Sequence, residues 1–323
     1  MAKKDKTIAK QHVTKRRLAR WQREKRRRRL YTSAGILIIA MVAIIIVYGF
    51  YTTEISMANE WVTDVGGTRF VGTDYADALH LCQLGFAGNT SDPQGAPISL
   101  LEQNELVRLG TASMGITVND SELTAAIKYS IEGNQSLTDE QFQQAYQEML
   151  DSIELTKDQF EQIMGNNLLQ AKLYERLLED LPAVGDNVSQ IYLEALVANE
   201  SQLSDVMARV DGGEHLADLQ ANYTYNEIGW VPQGVLAVEL EEIAFNLSIG
   251  NVSDPLLIGN EYYYLLEVTA KGELAIDETM REQIEYNLLP RWMTDKSVEY
   301  NVQRNPNLDL DKMYNWALER IGE

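Results

Sequence analysis

The chain has 323 residues, one cysteine, three histidines and a formal net charge of −20. That length fits an anchor segment plus one or two domains, and the lone Cys82 excludes an intrachain disulfide. No Cys/His cluster has metal-ligand spacing, and no Gly-x-Ser-x-Gly or glycine-rich phosphate loop is present. Zinc-finger, serine-hydrolase and P-loop chemistry are therefore set aside, and no cofactor is expected.

The charge is split along the chain. Residues 1–30 hold 14 Lys or Arg and two acids, which leaves 14 basic and 46 acidic residues beyond them. From Leu30 to Thr53 there is no charged residue, and Arg26 to Arg29 abut the start of this apolar run. About 20 apolar residues in a helix cross a bilayer core. The expectation is thus a basic cytoplasmic tail (1–30) and a transmembrane helix (31–53), with residues 54–323 extracytoplasmic. A cleaved signal peptide ending near Ser56-Met57-Ala58 is the competing reading. The tail is read as a topology signal that contacts anionic membrane lipid; no nucleic acid is expected, because Trp21 alone could stack on a base.

Residues 54–186 read as mainly helical. Asp64 to Phe70 suggests strand, glycine turn and strand, and a helix starts after Gly72-Thr73. Asn89 to Pro97 is a loop by composition, and an apolar-periodic helix runs from Ile98 to about Met114. Three helix starts follow at Asn119, Thr138 and Thr156, each with Glu or Gln three residues on, the pattern of a capping box. The third helix should stop near Leu181-Pro182.

The next stretch opens with a strand at Glu194-Ala195-Leu196-Val197 and a helix from Glu200 to Val210. It continues through Asp211-Gly212-Gly213, a second helix to Asn222 and Ile228-Gly229-Trp230. An acidic-apolar helix (Val238 to Leu247), a turn to Asp254-Pro255 and a closing strand from Tyr262 to Val268 complete it. Residues 272–323 return to helix, with Pro290 near the end of the first and Met313, Trp316 and Ile321 on the last.

The order of Gly115-Ile116-Thr117-Val118-Asn119-Asp120-Ser121-Glu122 and two Thr-initiated helices resembles the N-terminal region of SurA, PrsA and PpiD chaperones. The segment from Glu194 to Val268 resembles a parvulin peptidyl-prolyl isomerase, most specifically from Ala244 to Pro255. The resemblance implies an α+β protein. A helical chaperone lobe (54–186) would be completed by the C-terminal helices (272–323), with the parvulin-like module (187–271) inserted between them.

In that family two histidines, an Asp or Cys, and a Met/Phe pair surround the twisting amide. Here Glu194 and Tyr264 stand at the histidine positions, and Leu236 and Leu240 at the Met and Phe positions. The loop that carries the third polar group is shortened to almost nothing before Trp230. No catalytic residue is expected. Trp230, Leu236, Leu240, Phe245 and Tyr264 would line a residual peptide groove, with Glu194 and Tyr264 adjoining across the sheet. The function this implies is a membrane-anchored extracytoplasmic holdase for unfolded or newly translocated polypeptides. An active isomerase with non-standard residues, and a membrane scaffold subunit with one fixed partner, are the alternatives.

Overall fold

The computed structural model describes residues 37–45, 47–49, 54–86, 91–133, 137–258 and 262–322. The basic tail, and with it any lipid or nucleic-acid contact of residues 1–30, lies outside the described residues. The expected transmembrane helix over 31–53 is overturned, because among the described residues no helix is long and apolar enough to cross a membrane. Residues 37–45 and 47–49 are helical and mostly exposed. The membrane anchor, the lipid partner and the single-pass placement lose their support with that expectation.

The first lobe begins with a hairpin. Strands β1 (Trp61–Val65) and β2 (Thr68–Val71) pair antiparallel around Gly66 and Gly67, at φ 59° and 90°. Such positive φ values suit glycine, which has no Cβ to clash. Helices α1 (Gly72–Gln83), α2 (Ala96–Ser113), α3 (Asp120–Glu132), α4 (Asp139–Ser152) and α5 (Lys157–Leu178) follow. The three sequence-read capping boxes all form. Asn119, Thr138 and Thr156 accept from the backbone N–H of Glu122, Gln141 and Gln159 at 3.0, 3.3 and 3.3 Å. The acid or amide three residues on accepts in return from each cap N–H.

The far end of the chain returns to this lobe. Strand β7 (Gln303–Arg304) pairs with β1, making a sheet of order β2-β1-β7. Helix α9 (Leu310–Ile321) places Met313, Trp316 and Ala317 against Tyr75 and Leu79 of α1. Arg304 grips Glu102 of α2 through two N–H donors at 2.9 and 2.7 Å, and the Thr63 hydroxyl donates to the same carboxylate at 2.7 Å.

Between these parts lies a four-stranded antiparallel sheet of order β4-β3-β6-β5. Its strands are β3 (Asn187–Asn199), β4 (Thr224–Pro232), β5 (Leu256–Ile258) and β6 (Tyr262–Ala275). Strand β3 pairs with β6 along its whole length, and both faces are covered. Helix α7 (Val238–Asn246) lies over Ile191, Leu193, Ala195, Leu266 and Val268. Helix α6 (Glu200–Asp211) and a 3-10 turn (Leu216–Leu219) cover Leu196, Ala198 and Leu265. The sequence reading made that turn a helix to Asn222; it is one short turn because Leu216 and Leu219, both fully buried, already anchor it.

Helix α8 (Glu278–Glu299) joins the two parts. It continues through Pro290, where the sequence suggested an end. Proline removes one backbone donor there. Burial of Trp292 and Ile284 on either side of Pro290 opposes a break. Trp292 packs with Val107 of α2 and Leu173 of α5. A Cβ added at Gly110 would sit 2.3 Å from the Trp292 ring, so α2 accepts the indole only where a side chain is missing.

A row of carboxylates crosses the sheet. Glu194 on β3 lies opposite Glu227 on β4 and Glu267 on β6. Glu267 is fully buried and accepts from the Leu216 N–H at 2.8 Å and from His215 Nδ1. Hydrogen bonding to Glu267, then its charge, holds the His215 imidazole above its ordinary pKa.

Two outcomes follow for stability. Gly110→Ala should lower the urea unfolding free energy by about 1–2 kcal/mol, since overpacking outweighs alanine's better helix propensity. Pairing it with Trp292→Leu should recover part of that loss in a double-mutant cycle. A raised folded-state His215 pKa contributes stability below its unfolded value, and that contribution is lost as pH rises through the folded value. The urea midpoint should therefore fall as pH rises from the ordinary imidazole range into the alkaline side of it, and His215→Gln should flatten that fall.

Candidate polypeptide-binding cleft

Helix α8 forms one wall of a cleft between the lobe and the sheet. Leu177, Leu181 and Pro182 come from the end of α5 and the link beyond it, Val188 from β3, and Ile276, Ile284, Leu288 and Trp292 from the C-terminal side. The cleft encloses about 970 Å³, the solvent at its mouth included. Its lining is mainly apolar, and Arg291 and Asp295 supply charge.

The chain builds this shape with polar fastenings on the α8 side. Asn287 donates its amide to the carbonyls of Gly234 and Val235, at 3.2 and 2.7 Å. Arg291 donates to the Leu236 carbonyl at 2.9 Å and forms a two-pronged pair with Glu241 of α7, at 2.5 and 3.1 Å. Glu241 is buried, and its second oxygen also accepts from the Gly234 N–H at 2.6 Å. Gly234 has φ 98°, and a Cβ there would meet Ile284 at 3.1 Å. Glycine is thus required twice over at the point where the sheet module meets α8.

The residues singled out from sequence divide between the two faces of the sheet. Leu236, together with Leu240 and Phe245 of α7, packs against the Ile191–Val268 cluster. Trp230 lies opposite Tyr192 across β3 and β4, with the rings edge-to-face at 5.5 Å. Tyr264 lies opposite Val197 on one side and Leu256 on the other. It does not adjoin Glu194, which corrects the expected cross-sheet pair. Glu194 lies between Leu193 and Ala195 of the α7-side core. By strand alternation it faces the other side, whereas Tyr264 shares the side of Leu266.

Glu194 instead sits in the carboxylate row. One of its oxygens is buried without a hydrogen-bond partner. Burial, then the Glu194 carboxylate, push the Tyr225 phenol up to about 12. The Tyr192 hydroxyl donates to Glu227. The Glu267–His215 contact was not read from sequence, because it depends on the β3–β6 register and the tight turn before Leu216. Among the described residues no group of three or more His, Cys, Asp or Glu could hold a metal ion. Cys82 is half-buried, and burial raises its thiol to about 11, away from nucleophilic use at neutral pH.

Residues 20–174 match the family model described as the SurA-like N-terminal domain. The Foldase protein PrsA of Geobacillus sp. (strain WCH70) is 28% identical over 118 residues, which cover 34% of this chain and 42% of that protein. The Foldase protein PrsA of Oceanobacillus iheyensis is 22% identical over 220 residues, covering 62% of this chain and 71% of that protein. The crystal structure of the peptidylprolyl isomerase PrsA from Bacillus anthracis aligns with a TM-score of 0.34 at 17% identity, over 64% of this chain and 97% of that one. The Geobacillus relatives are matched over about two fifths of their length, 42% and 36%. Over residues 20–174 the chain is thus similar to a SurA-like N-terminal domain, and over part of its length it is similar to proteins named as foldases.

Proposed function

We propose that the protein is a folding factor that holds unfolded polypeptide and does not turn over proline bonds. Its sheet module, on this reading, is a parvulin-like fold without the family's polar constellation. The observation that carries the proposal is the apolar cleft between lobe and module, floored by Leu181, Ile276, Leu288 and Trp292. An unfolded chain offers apolar side chains at irregular spacing, and a cleft lined by several partly exposed leucines can take them without sequence demands.

The polar groups of the module support holding over catalysis. Its one histidine, His215, is committed to Glu267, and Glu194 and Tyr264 lie on different faces of the sheet. Glu194 and Tyr264 therefore flank no common pocket. Fully burying one client side chain gains ~1.5–3 kcal/mol, and ordering the client opposes it. Weak, fast-exchanging binding follows, which suits a protein that must release its clients. The acidic surface left once residues 1–30 are set aside disfavours acidic clients.

Leu181→Ser with Leu288→Ser should weaken binding of a chemically unfolded, fluorophore-labelled client about tenfold, as two half-buried contacts of ~0.7 kcal/mol each are lost. The same pair should reduce suppression of that client's aggregation, with the urea midpoint changed little. Unchanged affinity and unchanged suppression in the double variant would remove the cleft from the account.

A further inference from the structure

The two edges of the four-stranded sheet are built differently. An unpaired edge presents free backbone donors and acceptors, and proteins usually blunt it with bulges, charges or proline. The β4 edge has all three. A bulge leaves Ile228 out of register, Gly229 adopts φ 87°, Glu227 projects a carboxylate, and Pro232 closes the strand. Along β5 itself there is no bulge, charge or proline; Asp254 and Pro255 precede it. Its three residues are Leu256, Leu257 and Ile258; the last two are 51% and 39% exposed. Among the described residues, β5 pairs with β6 alone.

Beside this edge runs an apolar groove. Ile243 and Leu247 from the α7 side, and Val252 and Leu256 from the approach to β5, line it, with Glu242 and Asp254 at its rim and no cation in its lining. The geometry points to a second polypeptide-binding site, in which an extended segment of a client adds a strand to β5. Backbone hydrogen bonds to the edge supply affinity, and alternate side chains are read by the groove. The occupant is an extended strand that alternates apolar and basic residues. Its apolar side chains enter the Ile243–Leu256 groove, and its basic ones face Glu242 and Asp254. A second copy of this chain is disfavoured, because it would bring the same carboxylates against one another. This rests on the polypeptide-binding reading above and assigns it a place and a mode distinct from the cleft.

The test uses the full chain and a labelled ten-residue peptide of alternating Val and Lys, followed by fluorescence anisotropy. The expected result is binding that falls at least tenfold when alternate peptide amides are N-methylated, together with slowed hydrogen exchange at residues 254–258 on binding. Leu257→Asp with Ile258→Asp should also weaken binding at least tenfold, although the added acids attract the Lys peptide. Binding indifferent to N-methylation and to the variant would overturn the edge site while polypeptide holding stands. Failure to bind the peptide, with aggregation of an unfolded client still suppressed, would do the same. Failure with every unfolded chain would take down both readings. A dimer that the variant dissolves, without peptide binding, would assign the edge to a second copy and overturn the proposal.

Discussion

Helix α8 is the member on which the remaining architecture depends, and its hold comes from one indole and one guanidinium. Trp292 enters the first lobe where Gly110 leaves room for it. One residue earlier, Arg291 is clamped to the buried Glu241 and the Leu236 carbonyl of the sheet module. Neighbouring positions on a helix point in different directions, so a single turn of α8 grips both parts at once. Removing one partner of a buried, hydrogen-bonded ion pair is costly, commonly ~3–5 kcal/mol. The contact therefore fixes the width of the cleft as well as the stability of the joint. Pro290 sits in that same turn and weakens the local backbone ladder, which the packing on both sides offsets.

On the proposed parvulin-like reading, the sheet module keeps a scaffold whose polar centre is put to another use. Positions where the resembled family places imidazoles carry Glu194 and Tyr264. The Glu194 carboxylate lies in a cross-sheet row with Glu227 and Glu267, and the His215 imidazole contacts Glu267. Like charges on facing strands cost stability, so this row is a burden that the Leu216 N–H and the imidazole offset. Nothing in it points at an apolar pocket where a proline ring could sit. Function then rests on apolar area exposed in the cleft.

Much of the helical lobe was legible in the sequence because its signals are local. The boxes at Asn119, Thr138 and Thr156 need only residues three apart, and the Gly66-Gly67 turn needs only φ > 0. The strand order β4-β3-β6-β5 and the Trp292–Gly110 contact are long-range, and no periodicity encodes them. The placement of the expected groove residues was hidden for a related reason. Trp230 and Tyr264 are aromatic residues on a sheet buried on both faces, where alternation alone does not say which face each one takes. The bulges in β3, between Tyr192 and Leu193 against β6 and between Leu193 and Glu194 against β4, alter the pairing near Glu194. The membrane-span expectation rested on apolarity over 31–53, and among the described residues no helix is long and apolar enough to cross a membrane.

The central claim is that the protein holds polypeptide without isomerising it. The most direct measurement is the full chain's effect on cis-trans exchange of a proline tetrapeptide, beside its suppression of aggregation of a chemically unfolded client. The account predicts suppression at near-stoichiometric chaperone, with proline exchange at its uncatalysed rate. Acceleration of exchange that scales with protein concentration and is lost in Glu194→Ala would contradict it, as would the absence of any suppression.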